Sequence, residues 1–150
     1  MSKEQFSGVF NVSIDLKGRV SVPAGFRDVL REKFQSESLF VTLNKDGLTA
    51  YPPKAWNAFL SKYDALPASP SKEAVWRARV SPAQECTFNA QGRIQVPQAL
   101  RARAGLEKDV VIVGMDDKIE IWNQQAYDAV LAKSETLLEE DGQLLSDLGL

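Results

Sequence analysis

The spacing of apolar positions changes period several times along the chain, and each change marks an element. Residues 6–14 alternate from Phe10 onward, with Phe10, Val12 and Ile14 on one face, as in a half-buried strand. Asp15-Leu16-Lys17-Gly18 interrupts the alternation as a tight turn. An Asp carboxylate accepts from backbone N–H groups just ahead of it, and Gly supplies a positive φ at low cost. Arg19-Val20-Ser21-Val22 is a short return strand with both valines on one face. Pro23 stops it and suits the first turn of a helix. Phe26, Val29, Leu30 and Phe34 then recur at spacings of three and four, predicting a helix over 23–34. The apolar, β-branched run 39–43 predicts a buried strand, and Asn44-Lys45-Asp46-Gly47 a hairpin turn signalled by Asp-Gly, with 48–51 returning. Pro52-Pro53 opens a helix striped by Trp56, Phe59, Leu60 and Tyr63. Residues 67–71 form the one clear linker, and a short helix is predicted over 72–80.

From residue 85 the pattern restarts. Strand 85–88, turn Asn89-Ala90-Gln91-Gly92 and strand 93–96 lead to a helix opened by Pro97 and capped by Gly105. A hairpin of 110–113 and 118–122 follows, then a C-terminal helix from about Gln124 with Tyr127, Val130, Leu131 and Leu138 apolar. The repetition is closest at 15–27 and 89–101, which both read Asp/Asn-x-x-Gly-Arg-(Val/Ile)-x-Val-Pro-x-x-(Phe/Leu)-Arg, with five positions identical. The offset is 74 there and 71 at the later hairpin, where Tyr51 aligns with Trp122 and Trp56 with Tyr127. Such self-similarity means one supersecondary unit written twice. A unit of roughly 45 residues buries little apolar surface alone. Two copies packed about a pseudo-two-fold would share one β core and leave no free sheet edge. The expected architecture is mainly β with helices (α+β). Residues 1–150 would form a single globular unit, with a first repeat at 7–56, connecting helices at 57–81, a second repeat at 82–127, and a C-terminal helix with acidic tail at 128–150.

The absent residues narrow the chemistry. There is no His, and Cys86 is the single Cys. That excludes the usual Cys/His zinc sites and any Ser-His-Asp or Cys-His catalytic unit. An enzyme would have to use carboxylates, Lys, Tyr or an oxygen-bound metal. Asp116 and Asp117 are adjacent, but turn chemistry explains them more simply than metal binding or catalysis. No catalytic residue, metal, cofactor or small-molecule substrate is therefore expected. The first eight residues have no apolar run, so no signal peptide is expected, and no stretch approaches the ~18 apolar residues of a membrane span. One Cys without a signal fits a reducing cytoplasm.

The net charge of −2 argues against nucleic acid, but its distribution softens the point. Residues 134–150 carry five acids and no base; without them the chain has 18 basic against 15 acidic residues. An acidic tail on a mildly basic body is compatible with a localised phosphate-binding face.

The doubled Asp-x-x-x-Arg turn followed by (Val/Ile)-x-Val-Pro resembles the MraZ family of bacterial proteins, and each half resembles the AbrB/SpoVT swapped-hairpin DNA-binding module. The likeness runs from about Gly8 to the C-terminal helix and includes Ala104-Gly105-Leu106-Glu107-Lys108-Asp109-Val110 and Ile119-Glu120-Ile121-Trp122. It implies a pseudo-two-fold double-psi or swapped-hairpin β-barrel built from two intrachain repeats, plus a C-terminal helix. It also implies a transcriptional regulator, with repression favoured, of the division and cell-wall gene cluster including its own operon. Such a protein would be cytoplasmic and nucleoid-associated, and would bind short direct repeats of double-stranded promoter DNA as a homo-oligomeric ring. The family's functional turn residues are matched by Asp15 and Arg19. The chain departs from the pattern at Asn89, where the family usually has Asp. Asn keeps the turn-forming acceptor and loses the charge. If the carboxylate only shapes the turn, both halves still work; if it also holds Arg93, the second site is looser. The first role is favoured.

Arg19 and Arg93 each follow a Gly turn at the start of a strand, placed to present a guanidinium to phosphate or to the major-groove edge of guanine. The plainer alternative is an exposed Arg, or one that pins the turn. Lys17 has no basic counterpart, since the second copy has Gln91, and suits phosphate alone. Arg27 and Arg101 are identical between the copies but lie on helices, where an ion pair or packing stem competes with DNA contact. Arg77, Arg79 and Arg103 read as solvated, Cys86 as a small buried apolar group, and Trp56, Trp76 and Trp122 as core or subunit contacts. Two other functions compete with DNA binding. One is a ring-forming interaction protein or scaffold. The other is a small enzyme, which would need a convergent acid and base that the sequence lacks.

Overall fold

In the computed structural model the strands pair across the two halves of the chain more than within them. It describes residues 5–150; the first four lie outside the described residues, as do the parts of the leader and 1–150 expectations that fall on them. In chain order the elements are β1 (Val9–Ser13), β2 (Arg19–Ser21), α1 (Ala24–Phe34), β3 (Ser38–Asn44), β4 (Gly47–Tyr51), α2 (Pro53–Asp64), α3 (Pro70–Val75), β5 (Gln84–Thr87), β6 (Arg93–Gln95), α4 (Gln98–Ala104), β7 (Asp109–Gly114), β8 (Ile119–Asn123), α5 (Gln124–Glu140) and α6 (Gly142–Asp147).

A six-stranded antiparallel sheet runs β1-β7-β8-β4-β3-β5, and β2 pairs separately with β6. The order reads the same from either end once β1 is matched with β5, β7 with β3 and β8 with β4. The pseudo-two-fold therefore passes between β4 and β8 and between β2 and β6. The mixed α+β architecture is consistent with a swapped-hairpin fold: β1 leaves its own half to pair with β7, and β5 crosses back to β3.

The expected return strand is corrected in one respect. The Ile14–Val20 bridge closes the first turn, but residues 19–21 then pair with 93–95, Val20 facing Ile94. Both side chains are fully buried. The expectation of no free edge is also corrected. The main ladder ends at β1 and β5, both short, as exposed edges commonly are.

The core draws on both halves: Val20, Leu30, Leu39, Ile94, Val96 and Ile112 have no measurable exposure and belong to one cluster. Burying each such side chain is worth about 1.5–3 kcal/mol before chain entropy is counted. A smaller cluster of Val111, Val113 and Trp122 seats α5 through Ala126, Tyr127 and Val130. Along the predicted face exposure grades outward: Ile14, just past β1, is buried, while Phe10 is 39% exposed with its ring edge-on to Phe26 at 5.3 Å. Trp56 and Trp122 are core residues. Trp76 is not in the core; it opens a π-helical turn, Trp76–Val80, is 46% exposed and leans on Tyr63. The helix before it starts at Pro70, two residues earlier than predicted, because Ser69 Oγ accepts the Lys72 N–H and caps it.

Two glycines are fixed by neighbours. In the β3–β4 hairpin the closing pair is Asn44 and Gly47, so Lys45, with φ of 51°, takes the left-handed position that the Asp-Gly signal assigned one step later. A Cβ at Gly47 would lie 2.6 Å from Cε3 of the Trp122 ring. At Gly114 a Cβ would lie 2.5 Å from the backbone carbon of Phe6 and the nitrogen of Ser7, where the Phe6–Asp116 bridge crosses the end of β7. Gly114→Ala should therefore destabilise the fold by about 1–3 kcal/mol. Gly25→Ala, which meets nothing within 4 Å, should not destabilise it. Urea midpoints for the two variants check this; an unshifted Gly114→Ala midpoint would contradict it.

Candidate nucleic-acid interface

The β2–β6 pair is a two-stranded ribbon with one duplicated turn at either end. Arg19 lies opposite Gln95, and Ser21 opposite Arg93. In the first turn Asp15 Oδ1 accepts the backbone N–H groups of Lys17 (3.0 Å) and Arg19 (2.8 Å), and Oδ2 accepts Nε of Arg19 at 2.7 Å. Gly18 takes φ of +83°. The Arg19 N–H is the largest influence on the Asp15 carboxyl; desolvation opposes it, and the Arg19 guanidinium and the Lys17 N–H add to it, so that the carboxyl is held below its ordinary 3.8.

The second turn keeps the shape and loses one bond. Asn89 Oδ1 accepts from the N–H groups of Gln91 and Arg93, each at 3.0 Å, and Gly92 takes φ of +75°. Nothing holds Nε of Arg93, which is buried without a hydrogen-bond partner, and the Arg93 Nη1 instead lies 3.7 Å from Asp15 Oδ2. The amide thus supplies the turn-shaping role of the missing carboxylate. The ion-pairing role passes to the carboxylate of the other turn.

Arg27 and Arg101 meet the opposite copy's turn. A Cβ at Gly92 would lie 2.5 Å from Arg27 Cζ, and one at Gly18 would lie 2.6 Å from Arg101 Nε. Arg27 Nε donates to the Val22 carbonyl at 3.2 Å, and Arg101 Nη1 reaches the Leu16 carbonyl at 3.5 Å. Gln95 Nε2 donates to the Lys17 carbonyl at 2.8 Å. Each motif glycine therefore serves twice, for its φ and for the flat guanidinium stacked against it. The first role is legible in the sequence and the second is not, beyond the clue that Gly and the last Arg of the motif are identical in both copies.

Side chains of Arg19 and Arg93 are 38% and 30% exposed, Lys17 is exposed, and Leu16 between the charges is 99% exposed. The two thirteen-residue stretches hold five cations (Lys17, Arg19, Arg27, Arg93, Arg101) and one carboxylate, on a chain of net charge −2. A cleft of about 310 Å³ lined by Arg27, Arg31, Asn89 and Gly92 flanks the second turn. A larger concavity of about 820 Å³ lies elsewhere, beneath α5 beside Trp122 and Tyr127, and takes in none of the candidate residues.

Among the described residues no three His, Cys, Asp or Glu side chains gather as a metal site, and no helix is long and apolar enough to cross a membrane. The Cys86 thiol is buried and pushed up to about 11, first by desolvation and then by the Glu85 charge. Asp116 takes φ of +68° in its turn, and its N–H donates to the Phe6 carbonyl at 2.9 Å.

Comparison with known proteins matches the chain to the family model described as "MraZ protein, putative antitoxin-like" over residues 5–77 and 80–146. A protein of Syntrophotalea carbinolica named Transcriptional regulator MraZ is 44% identical over 148 residues, covering 97% of this chain and 99% of its own. Proteins of the same name from Geotalea uraniireducens and Geobacter metallireducens are 40% and 36% identical, each again covering 97% of this chain and 99% of their own. The chain belongs to the MraZ family.

In this MraZ-family chain the turn geometry has a pH signature. Because the native carboxyl of Asp15 titrates below its ordinary 3.8, its stabilising contribution is complete above that value. It is lost as pH falls through the depressed native one. Asp15→Asn should be slightly less stable than wild type at neutral pH and should converge with it in strong acid. Urea midpoints across that range test the point; a gap independent of pH would refute it.

Proposed function

We propose that this chain is a DNA-binding transcription regulator that lays the β2–β6 ribbon and its end turns against duplex DNA. One observation carries the reading: two geometrically matched turns close a ribbon whose motif stretches are strongly cationic, with the guanidiniums of Arg19 and Arg93 converging on the carboxylate of Asp15, on a chain that is otherwise acidic. A two-stranded ribbon fits the major groove, where Arg reads the O6 and N7 edge of guanine. The naming of the relatives as transcriptional regulators supports it.

Arg19 is the principal reader. Its Nε is tied to Asp15, which fixes the direction of the guanidinium before DNA arrives, so less side-chain entropy is lost on binding. Arg93 reads more loosely, having no carboxylate in its own turn. Lys17 meets phosphate, Asp15 and Asn89 shape the turns, and Arg27 and Arg101 brace them from behind. We further propose repression of the gene cluster that includes its own operon, through direct repeats bound by a homo-oligomeric ring. A ring would let individually modest contacts act at high effective concentration. The regulator would work in the cytoplasm, at the nucleoid.

Fluorescence anisotropy at near-physiological salt, with duplex DNA from immediately upstream of the protein's own gene, tests this. Arg19→Ala should largely abolish binding and Arg93→Ala should weaken it less. Each lost phosphate contact should flatten the log–log salt slope by about 0.9. Equal binding by wild type and Arg19→Ala would falsify the reading. A scaffold acting on other proteins would instead show no salt-dependent DNA binding.

A further inference from the structure

Leu16 stands at the apex of the first turn with its side chain 99% exposed. Among the described residues none covers that side chain, yet its backbone is held on several sides. The N–H of Lys17 and the N–H of Arg19 are both tied to Asp15 Oδ1. The carbonyl of Leu16 accepts from Arg101 and that of Lys17 from Gln95, both donors from the other half of the chain. A turn pinned this way displays its apical side chain in a fixed place. The second turn has Ala90 at the position of Leu16, and the first copy has Ser21, too short for the same brace, at the position of Gln95. The display belongs to the first turn alone.

Resting on the DNA-binding reading above, we propose that Leu16 is a specificity determinant that packs against the 5-methyl group of a thymine beside the base read by Arg19. The thymine methyl is the one apolar group that base edges offer in the major groove, and it is the groove that admits a two-stranded ribbon. A branched aliphatic side chain flanked by Asp15 and Lys17, with Arg19 close by, suits a base edge better than a phosphate, to which it can offer no hydrogen bond. Ala90 is too short to make the same contact, so the two turns of one protomer read unequal sub-sites. A thymine-bearing step goes to the first turn, and a step without that requirement to the second.

Single replacement of each thymine by deoxyuridine in the upstream duplex removes one methyl group and nothing else. Wild type should lose about fourfold in affinity at one thymine, the worth of burying one methyl-sized group. Leu16→Ala should bind the unmodified duplex more weakly by a similar factor and no longer distinguish thymine from uracil there. A thermal midpoint equal to wild type shows that the variant is folded, as its exposure requires. Indifference of wild type to every replacement overturns the proposal, and so does equal sensitivity in Leu16→Ala. Failure of wild type to bind any duplex overturns the DNA-binding reading itself, and this proposal with it.

Discussion

Val20 and Ile94 face each other across the ribbon with no exposure to solvent, and the arrangement of both turns depends on that contact. Neither β2 nor β6 exceeds three residues, too short to stand as a strand by itself. What holds them is the apolar surface each offers the other at the pseudo-two-fold. Pairing there rather than locally sets Arg19 and Arg93 at opposite ends of one rigid element. The same exchange sends β1 to β7 and β5 to β3, so the core cannot be divided into halves without exposing it.

The electrostatics follow from a scarcity of acid. One carboxylate lies among five cations of the duplicated stretches, and it is engaged by both Arg19 and Arg93, at 2.7 and 3.7 Å. An exposed ion pair by itself contributes little. The greater effect of Asp15 is geometric, since two backbone N–H groups converge on the same oxygen and shape the loop. Asn89 does this equally well, which explains how the second turn keeps its form without a charge. The difference between the turns is then confined to side chains: a held Arg19 against a loosely held Arg93, and Leu16 against Ala90.

Elements with a strong period were readable in advance. Phe26, Val29 and Leu30 specify α1 to within a residue of its observed start, and Gly105 ends α4 in the left-handed conformation expected of a C-cap. Boundaries set by a single cap or a local twist were harder. Ser69-Pro70 looked like linker and proved to be the start of a helix. In the β3–β4 turn the positive φ falls on Lys45, one step before the Asp-Gly pair that signals the hairpin. The π-helical turn at Trp76–Val80 has no periodic signature in the sequence, and Trp76 at its start is exposed.

The sequence alone determined the two turns and the likeness between them. Asx acceptance at the second and fourth residues and a positive-φ glycine are local chemistry, complete within five positions. Tertiary structure decided whom β2 would pair with, which carboxylate Arg93 would meet, and that Arg27 and Arg101 would brace the opposite turn. Each of those contacts joins residues from different halves of the chain. No periodicity carries such a choice, because it turns on which arrangement buries Val20, Ile94 and their neighbours most completely.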